Sequence, residues 1–472
     1  MEIVKRYIVT LLFILIFSQA AEARDVLVLL KSGARQCKIG GTSYVIRVAS
    51  GGVTPAITGS FSLSYAGGGS LSAGAVSYAM PVTVTSSSPI IIDGVSYHGS
   101  ILFEASGSGF NIVNQVDVEQ YLKGVLKDEM SPAWPVEALK AQAVLARTYT
   151  LSSKKHGKYD LCAQVHCQSY SGVAGESPAI DEAVSATGGE LLKYGGSVAQ
   201  VFYYGDSGGF SASSRAVWGK DIPYLQARPD PVSYSSPNAR WQTTLSMQQI
   251  SSSLAAAGIQ VGSISSIRPY SRDESGRVQQ LEINGSGGRK LVTGSQFRLA
   301  VGAGVVKSTL FEFGAGTVYT PQAALPSAPQ STAQRNYPVI TDRSTMPEKD
   351  VDKLYWMTQN KIFTVQELVS MIGKEKDYPK FIAEGEARMS GKKLPAAPVR
   401  QPAAQPVYNT AAGAPQLSMN GASGSSVTIS GRGSGHGVGM PQWTAKALAE
   451  AGWSYRQILE YYFPGTALER GY

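Results

Sequence analysis

Between residues 25 and 109 the chain alternates short runs of β-branched and aromatic residues with glycines, and the runs at 26–30, 42–48, 60–65, 82–84 and 90–92 read as strands. The period then changes. Asp117 is placed to cap a helix that begins at Val118 and carries Tyr121, Leu122 and Val125 on one face. Ser131-Pro132-Ala133-Trp134 interrupts it. A second helix is expected with Pro135 in its first turn, running through Tyr149, with Leu139, Ala143 and Ala146 as a buried stripe of mostly small residues that permits close packing. Ser177-Pro178 opens another helix, closed by Gly188-Gly189, and the segments 190–194 and 197–204 read as a hairpin around Gly195-Gly196.

Further on, the pattern predicts a helix at about 247–257 and a strand at 309–314. The stretches 315–345 and 393–425 are rich in Pro, Ala, Gln and Ser, the composition of linkers, and a small helical island with a capping box at Thr364-Val365-Gln366-Glu367 lies between them. Strand character returns at 426–430 and leads into the glycine-rich run Gly431-Arg432-Gly433-Ser434-Gly435-His436-Gly437-Val438-Gly439. Two helices follow, the second opened by the capping box Ser454-Tyr455-Arg456-Gln457. The expected fold class is α+β: a β-rich region at 24–94, an α+β core at 95–314 resuming at 424–472, and an insertion at 315–423.

At 472 residues the chain exceeds one comfortable hydrophobic core, and its 43% hydrophobic and 16% charged residues suit a globular protein. Lys5 and Arg6, an apolar run at 8–17 and Ala21-Glu22-Ala23 form the pattern of a signal peptide cleaved after about Ala23. The run is shorter than the ~20 residues that span a bilayer, so no stable transmembrane anchor is expected, and the mature protein is expected in the periplasm or cell wall. The net charge of +8 is scattered, without a Lys/Arg stripe, so nucleic acid is not an expected partner, whereas anionic wall polymers are compatible with it.

A set of ordered motifs adds more. Val116-Asp117-Val118-Glu119-Gln120-Tyr121-Leu122-Lys123-Gly124-Val125, Glu129-Met130, Trp134-Pro135, Glu137-Ala138-Leu139-Lys140-Ala141-Gln142-Ala143 and Ala146-Arg147-Thr148-Tyr149 are followed by Ser207-Gly208-Gly209, Val217-Trp218-Gly219, Gly435-His436-Gly437-Val438-Gly439-Met440, Gln442-Trp443 and Tyr461-Tyr462-Phe463-Pro464-Gly465-Thr466. Together they resemble the SpoIID/LytB family of sporulation proteins and amidase enhancers, over roughly 95–314 and 424–472. The resemblance implies an exported peptidoglycan lytic transglycosylase. Such an enzyme cuts the MurNAc-GlcNAc bond of glycan strands without water and leaves 1,6-anhydro-MurNAc ends, with Glu129, by motif position, as its one catalytic carboxyl. It also implies an alternative, a non-catalytic wall-binding enhancer whose partner is an N-acetylmuramoyl-L-alanine amidase.

One carboxyl suffices for that reaction. It protonates the bridging oxygen, then takes the proton of the sugar's own C6 hydroxyl as that hydroxyl attacks the anomeric carbon. Glu129, at a helix end beside Met130 and Trp134, suits the role; spacing alone favours an exposed acidic residue beside Asp128, and it is the family resemblance that favours catalysis. Tyr203 and Ser207 match the family's active-site loop, although Tyr204-Gly205-Asp206 departs from the His and Ser or Thr usual there, and Asp206 suits turn capping. Gln142 and Arg147 either line the glycan cleft or tie their helix to the sheet. The glycines around His436 lack the Lys-Ser/Thr of a P-loop and are read as allowing close backbone packing that brings His436 and Gln442 towards substrate. Pro441 and Thr444 stand where the family has Ser and Gly. His156, Cys162, His166 and Cys167 suit a tetrahedral structural zinc, the reading favoured by relatives with His and Cys ligands at this place, against a Cys162–Cys167 disulfide. Cys37 reads as a small buried residue.

Overall fold

Asp25–Ala34 buries Val26 and Val28 on one face and pairs antiparallel with Gly109–Asp117, Val26 opposite Val116. The structure is a computed structural model and describes residues 24–152, 157–164, 167–230, 236–314, 346–360, 362–363, 371, 375–389 and 424–471. The expected leader, His156, His166, the capping box at 364–367 and most of both linkers lie outside the described residues. The chain forms an α+β fold in two compact units, Met1–Phe202 with Gly465–Tyr472, and Tyr203–Pro464.

In the first unit, a six-stranded sheet runs in the order Leu161–Cys162, Asp25–Ala34, Gly109–Asp117, Ser100–Ser106, Val82–Thr85, Val45–Val48. A second six-stranded sheet is made of Val76–Ala79, Ser70–Ala73, Phe61–Gly67, Gln36–Gly40, Ile90–Ile92 and Val95–Tyr97. The expected boundary at residue 94 therefore does not separate two bodies, because strands from both sides of it share both sheets. Alternation shows which face of a strand is buried but not which distant strand completes its ladder.

Helix α1, Val118–Glu129, starts where Asp117 accepts hydrogen bonds from the backbone amides of Glu119 (3.0 Å) and Gln120 (3.2 Å). It buries Tyr121, Leu122 and Val125, as its periodicity predicts. Gly124 costs helix propensity, but a Cβ there would meet the Tyr170 ring at 2.5 Å and the Gly172 carbonyl at 2.8 Å. Helix α2, Val136–Ser152, is buried far beyond the expected stripe: Ala138, Ala141, Val144, Leu145 and Thr148 join Leu139, Ala143 and Ala146 inside. Alanines let neighbours close on several sides of it. Helix α3, Pro178–Ala186, is capped by Ser177. The expected hairpin is shorter than its pattern: Glu190–Tyr194 pairs with Ser197–Val198 and, on its other edge, with Ala467–Arg470.

The second unit opens with Tyr203–Tyr204, which pairs in parallel with Met440–Pro441. Helix α4, Ser214–Trp218, follows, then Trp241–Ser246 and helix α5, Met247–Ala256. Ile264–Arg272, Val278–Gly285 and Gly288–Thr293 form an antiparallel sheet that leads into helix α6, Gly294–Val301. Both α5 and α6 carry complete capping boxes, Ser246 with Gln249 and Thr293 with Gln296. Ile250, Leu254, Ile267, Leu281, Ile283, Phe297, Phe311 and Ile429 belong to one core. Ser426–Gly431 lies between Trp241–Ser246 and Phe311–Phe313, so the chain leaves and re-enters one sheet on either side of the insertion. Within the insertion, helices α7, Asp350–Gln359, and α8, Tyr378–Met389, bury Leu354, Met357, Phe363, Ile382 and Met389, with the Arg388 guanidinium 4.7 Å from the Phe363 ring centre. Helices α9, Gln442–Glu450, and α10, Tyr455–Tyr462, follow the glycine-rich run, the latter with the expected capping box at Ser454 and Gln457. Among the described residues no helix is long and apolar enough to cross a membrane.

Candidate functional site

Glu129 is the last residue of α1 and is partly exposed, while Met130 after it is extended and buried. Burial drives the Tyr149 phenol up to about 12, and the Cys167, Cys162 and Glu129 charges act in the same direction. Tyr121 is driven well above the ordinary phenol range, first by burial, then by Tyr170, Cys167, Tyr149 and Glu129. These mutual effects put the Glu129 carboxyl, two protonated phenols and the cysteine loop in one neighbourhood of the first unit.

That loop is anchored where Leu161–Cys162 pairs in parallel with Val28–Leu29, and a turn closed by the Cys167 amide on the Gln164 carbonyl (2.9 Å) returns the second thiol. The two cysteines form no disulfide, and their sulfurs stand 3.6 Å apart. Two thiolates about 2.3 Å from one zinc in tetrahedral geometry stand about 3.8 Å apart, so the pair fits two corners of such a site.

Gln142 and Arg147 are both fully buried on α2. Of the two roles open to Arg147, the geometry fills the tie. Its guanidinium donates twice to Glu119, 2.7 Å in each bond, and once to the Glu190 carbonyl at 2.8 Å, clamping α1, α2 and the Glu190–Tyr194 strand. An arginine with no exposed surface and these acceptors does not line an open cleft. Gln142 differs. Neither heteroatom of its amide has a hydrogen-bond partner among the described residues. It lies two helical turns before Tyr149 and so shares that residue's face of α2.

In the second unit the glycine-rich run packs along the Tyr203–Gly209 segment. Asp206 and Ser434 exchange backbone hydrogen bonds at 2.9 and 2.8 Å, and the Trp443 amide donates to the Gly205 carbonyl at 3.0 Å. The close packing read from the glycines is thus present: a Cβ on Gly437, whose φ is +91°, would lie 2.8 Å from Arg277 Nε. Tyr203, Ser207, His436 and Gln442 are brought together here. The Ser207 hydroxyl is buried, donates to the Asp230 carboxylate and accepts from the Gly209 amide at 3.0 Å. That geometry holds the loop and does not offer a free hydroxyl. Asp206 accepts from the Gly208 amide at 2.7 Å, the turn-capping role.

His436 accepts at Nδ1 from the Val438 amide at 3.1 Å and packs against Tyr204 and Trp218, ring centres 5.3 and 5.4 Å away. Desolvation and then Arg298 push it down to about 4, with Arg277 adding to this and a hydrogen bond to the Tyr203 backbone opposing it. Above that pH it is a neutral cross-link. Because the folded value lies below the ordinary 6.5, the unfolded chain binds the proton first, and stability falls as pH drops from about 6.5 to about 4. Thermal midpoints measured across this window are expected to fall less steeply in His436→Asn than in the wild type; parallel curves would show that His436 does not titrate in this way.

Sequence reasoning missed Tyr149 as a neighbour of Glu129, although it named the residue as part of a helical face. It also missed Arg277, buried, whose guanidinium donates to the Ser207 and Phe210 carbonyls at 2.6 and 3.2 Å. No local pattern marks Arg277, since its acceptors lie about seventy residues away.

The SpoIID family model, described as Stage II sporulation protein, matches residues 106–194, which carry α1, Glu129, α2 and the cysteine loop. An uncharacterized protein of Brachyspira hyodysenteriae is 31% identical over 227 residues, 47% of this chain and 60% of the relative. The amidase enhancer of Bacillus subtilis is 29% identical over 396 residues, 82% of this chain and 46% of that protein. Stage II sporulation protein D of the same organism is 24% identical over 192 residues, 37% of this chain and 55% of that protein. The chain thus spans about half the length of the curated relatives it matches. With its motifs in order and the matched span 106–194 carrying Glu129, the chain resembles the SpoIID/LytB family.

Proposed function

We propose that this chain acts in the cell wall as a peptidoglycan lytic transglycosylase, with Glu129 as its general acid and base. The observation that carries the reading is the placement of a partly exposed carboxyl at the end of α1, among phenols that stay protonated and beside the cysteine loop. Glu129 donates its proton to the bridging oxygen as the bond to the anomeric carbon breaks; the resulting carboxylate accepts the C6 hydroxyl proton as that oxygen closes on the anomeric carbon. The proton count on Glu129 is restored and no water is consumed. Tyr203 and Ser207 remain in the proposal with the loop they belong to, which Ser207 holds through Asp230. The test is purified protein on isolated glycan strands: fragments with anhydro-muramoyl ends are expected, and intact strands would reject the reading.

Gln142 enters the proposal as a buried amide on the Tyr149 face of α2, behind the Glu129 neighbourhood. A buried amide without partners costs about 1–3 kcal/mol per unmet group. Gln142→Leu is expected to leave thermal stability equal or higher while lowering glycan cleavage; unchanged cleavage would remove Gln142 from the site.

Cys162 and Cys167, with His156 and His166 from outside the described residues, would hold a structural zinc that fixes the loop. Metal analysis of protein purified without chelator is expected to find about one zinc per chain, lost in Cys162→Ser with Cys167→Ser; a metal-free wild type would leave the disulfide reading.

The match to an amidase enhancer over 82% of the chain supports a second reading, a wall-binding protein that stimulates a separate amidase. Under it, Glu129→Gln would leave amidase stimulation intact.

A further inference from the structure

The second six-stranded sheet of the first unit ends in Val76–Ala79, which pairs with Ser70–Ala73 on one side and, among the described residues, with no strand on the other. Two comparable edges are closed by the chain itself. At Val45–Val48 the Thr54 amide donates to the Ile46 carbonyl at 3.0 Å and the Val48 amide to the Gly52 carbonyl at 2.9 Å. At Val95–Tyr97 the Gly172 backbone lies so close to the Ser96 carbonyl that a side chain at Gly172 would collide with it. An edge left open is normally blunted by Lys, Pro, a bulge or a covering segment. Val76-Ser77-Tyr78-Ala79 has none of these: its register is unbroken, Val76 is 52% exposed, and Ser77 and Ala79 are exposed.

Register fixes which backbone groups this edge offers. The two-residue turn Gly74-Ala75, with Gly74 at φ +60°, makes Ala73 and Val76 a hydrogen-bonded pair. Val76 and Tyr78 therefore turn their amides and carbonyls to Ser70–Ala73, as the Met80 amide turns to the Gly69 carbonyl at 2.9 Å. Ser77 and Ala79 turn theirs outwards.

Charge then narrows the partner. From Val48 to Ile92 the chain has no Asp, Glu, Lys, Arg or His, although 16% of all residues are charged and the net charge is +8. Two copies of so basic a chain repel one another, and a neutral edge adds nothing to that repulsion at contact. A foreign strand is selected by side-chain pockets or by charge, and this strand presents no charge to read. The edge is also complementary to itself. When two copies run antiparallel with Tyr78 opposite the same residue of the second copy, each Ser77 falls opposite an Ala79, and the outward amides and carbonyls of both pairs meet.

We propose that Val76–Ala79 joins a second copy of this chain by antiparallel strand pairing about a two-fold axis at Tyr78. The backbone bonds of Ser77 and Ala79 and the cross-strand tyrosine pair hold it. A contact built on a strand of 4 residues falls below the ~1,200–2,000 Å² of a stable interface, so the dimer is weak and depends on concentration.

The experiment is sedimentation velocity on the full chain from micromolar to submillimolar concentration, at low and high salt. A reversible monomer–dimer equilibrium is expected, and salt strengthens it by screening the repulsion between the copies. Ser77→Pro removes an outward N–H that no neighbouring strand uses, at an edge position where proline is tolerated, and is expected to weaken the dimer at least tenfold. Tyr78→Cys keeps the test open should the proline variant fold poorly. In the proposed register this pair stands about 4.5 Å apart between Cα atoms, within disulfide reach, so mild oxidation is expected to give a reducible covalent dimer that the wild type does not form. A chain that stays monomeric throughout overturns the proposal. So does a dimer that salt dissociates, or one that forms equally in a folded Ser77→Pro and gives no cross-link in Tyr78→Cys.

Discussion

Glu129→Gln is expected to lower glycan-strand cleavage by about a hundred- to ten-thousandfold, the usual contribution of a positioned general acid and base. Glutamine keeps the shape and a hydrogen-bonding end but can neither release a proton to the bridging oxygen nor take one from the C6 hydroxyl. The folded state should tolerate the change: Glu129 is partly exposed at a helix end, and α1 is held by Tyr121, Leu122, Val125 and the Asp117 cap rather than by its last side chain. Cleavage assays and thermal melts on the same preparation separate the two effects. Full activity in the variant would place the proton transfer elsewhere; lost activity with a lowered melting temperature would make the residue structural.

Arg147→Met should produce the largest loss of stability. The guanidinium is fully buried and bridges Glu119 on α1 to the Glu190 carbonyl, so removing it takes the charge partner from a partly buried carboxylate and one donor from the Glu190 carbonyl. Breaking a buried pair from one side costs about 3–5 kcal/mol, and the 23% exposure of the Glu119 side chain points to the lower end, about 3 kcal/mol. Urea unfolding followed by circular dichroism measures it. Glu119→Gln should cost less, since Arg147 keeps its carbonyl acceptor. If Arg147→Met instead kept full stability and lost cleavage, the arginine would be a substrate contact and not a clamp.

What could be read from the sequence follows the range of each interaction. The caps at Asp117, Ser177 and Ser454 were legible because a side chain and the amides it binds are at most three residues apart. The helical face of α1 and the position of Glu129 at its end followed from the same local periodicity. Sheet partners did not, because Asp25–Ala34 completes its ladder with a strand that begins some seventy-five residues later, and alternation carries no address. The Arg147 clamp joins residues 28 and 43 positions apart, which left its two readings balanced until burial separated them. The glycines of the 431–439 run were legible as a demand for close approach; that Arg277 is what approaches Gly437 was not.

The central claim, that one carboxyl moves a proton out and back while the sugar attacks itself, is tested most directly by running the cleavage in heavy-oxygen water and weighing the products. The account predicts new muramoyl ends lighter by one water than hydrolytic ends and free of heavy oxygen, from the wild type and not from Glu129→Gln. Reducing ends that carry solvent oxygen would show a hydrolase with a bound water and contradict it.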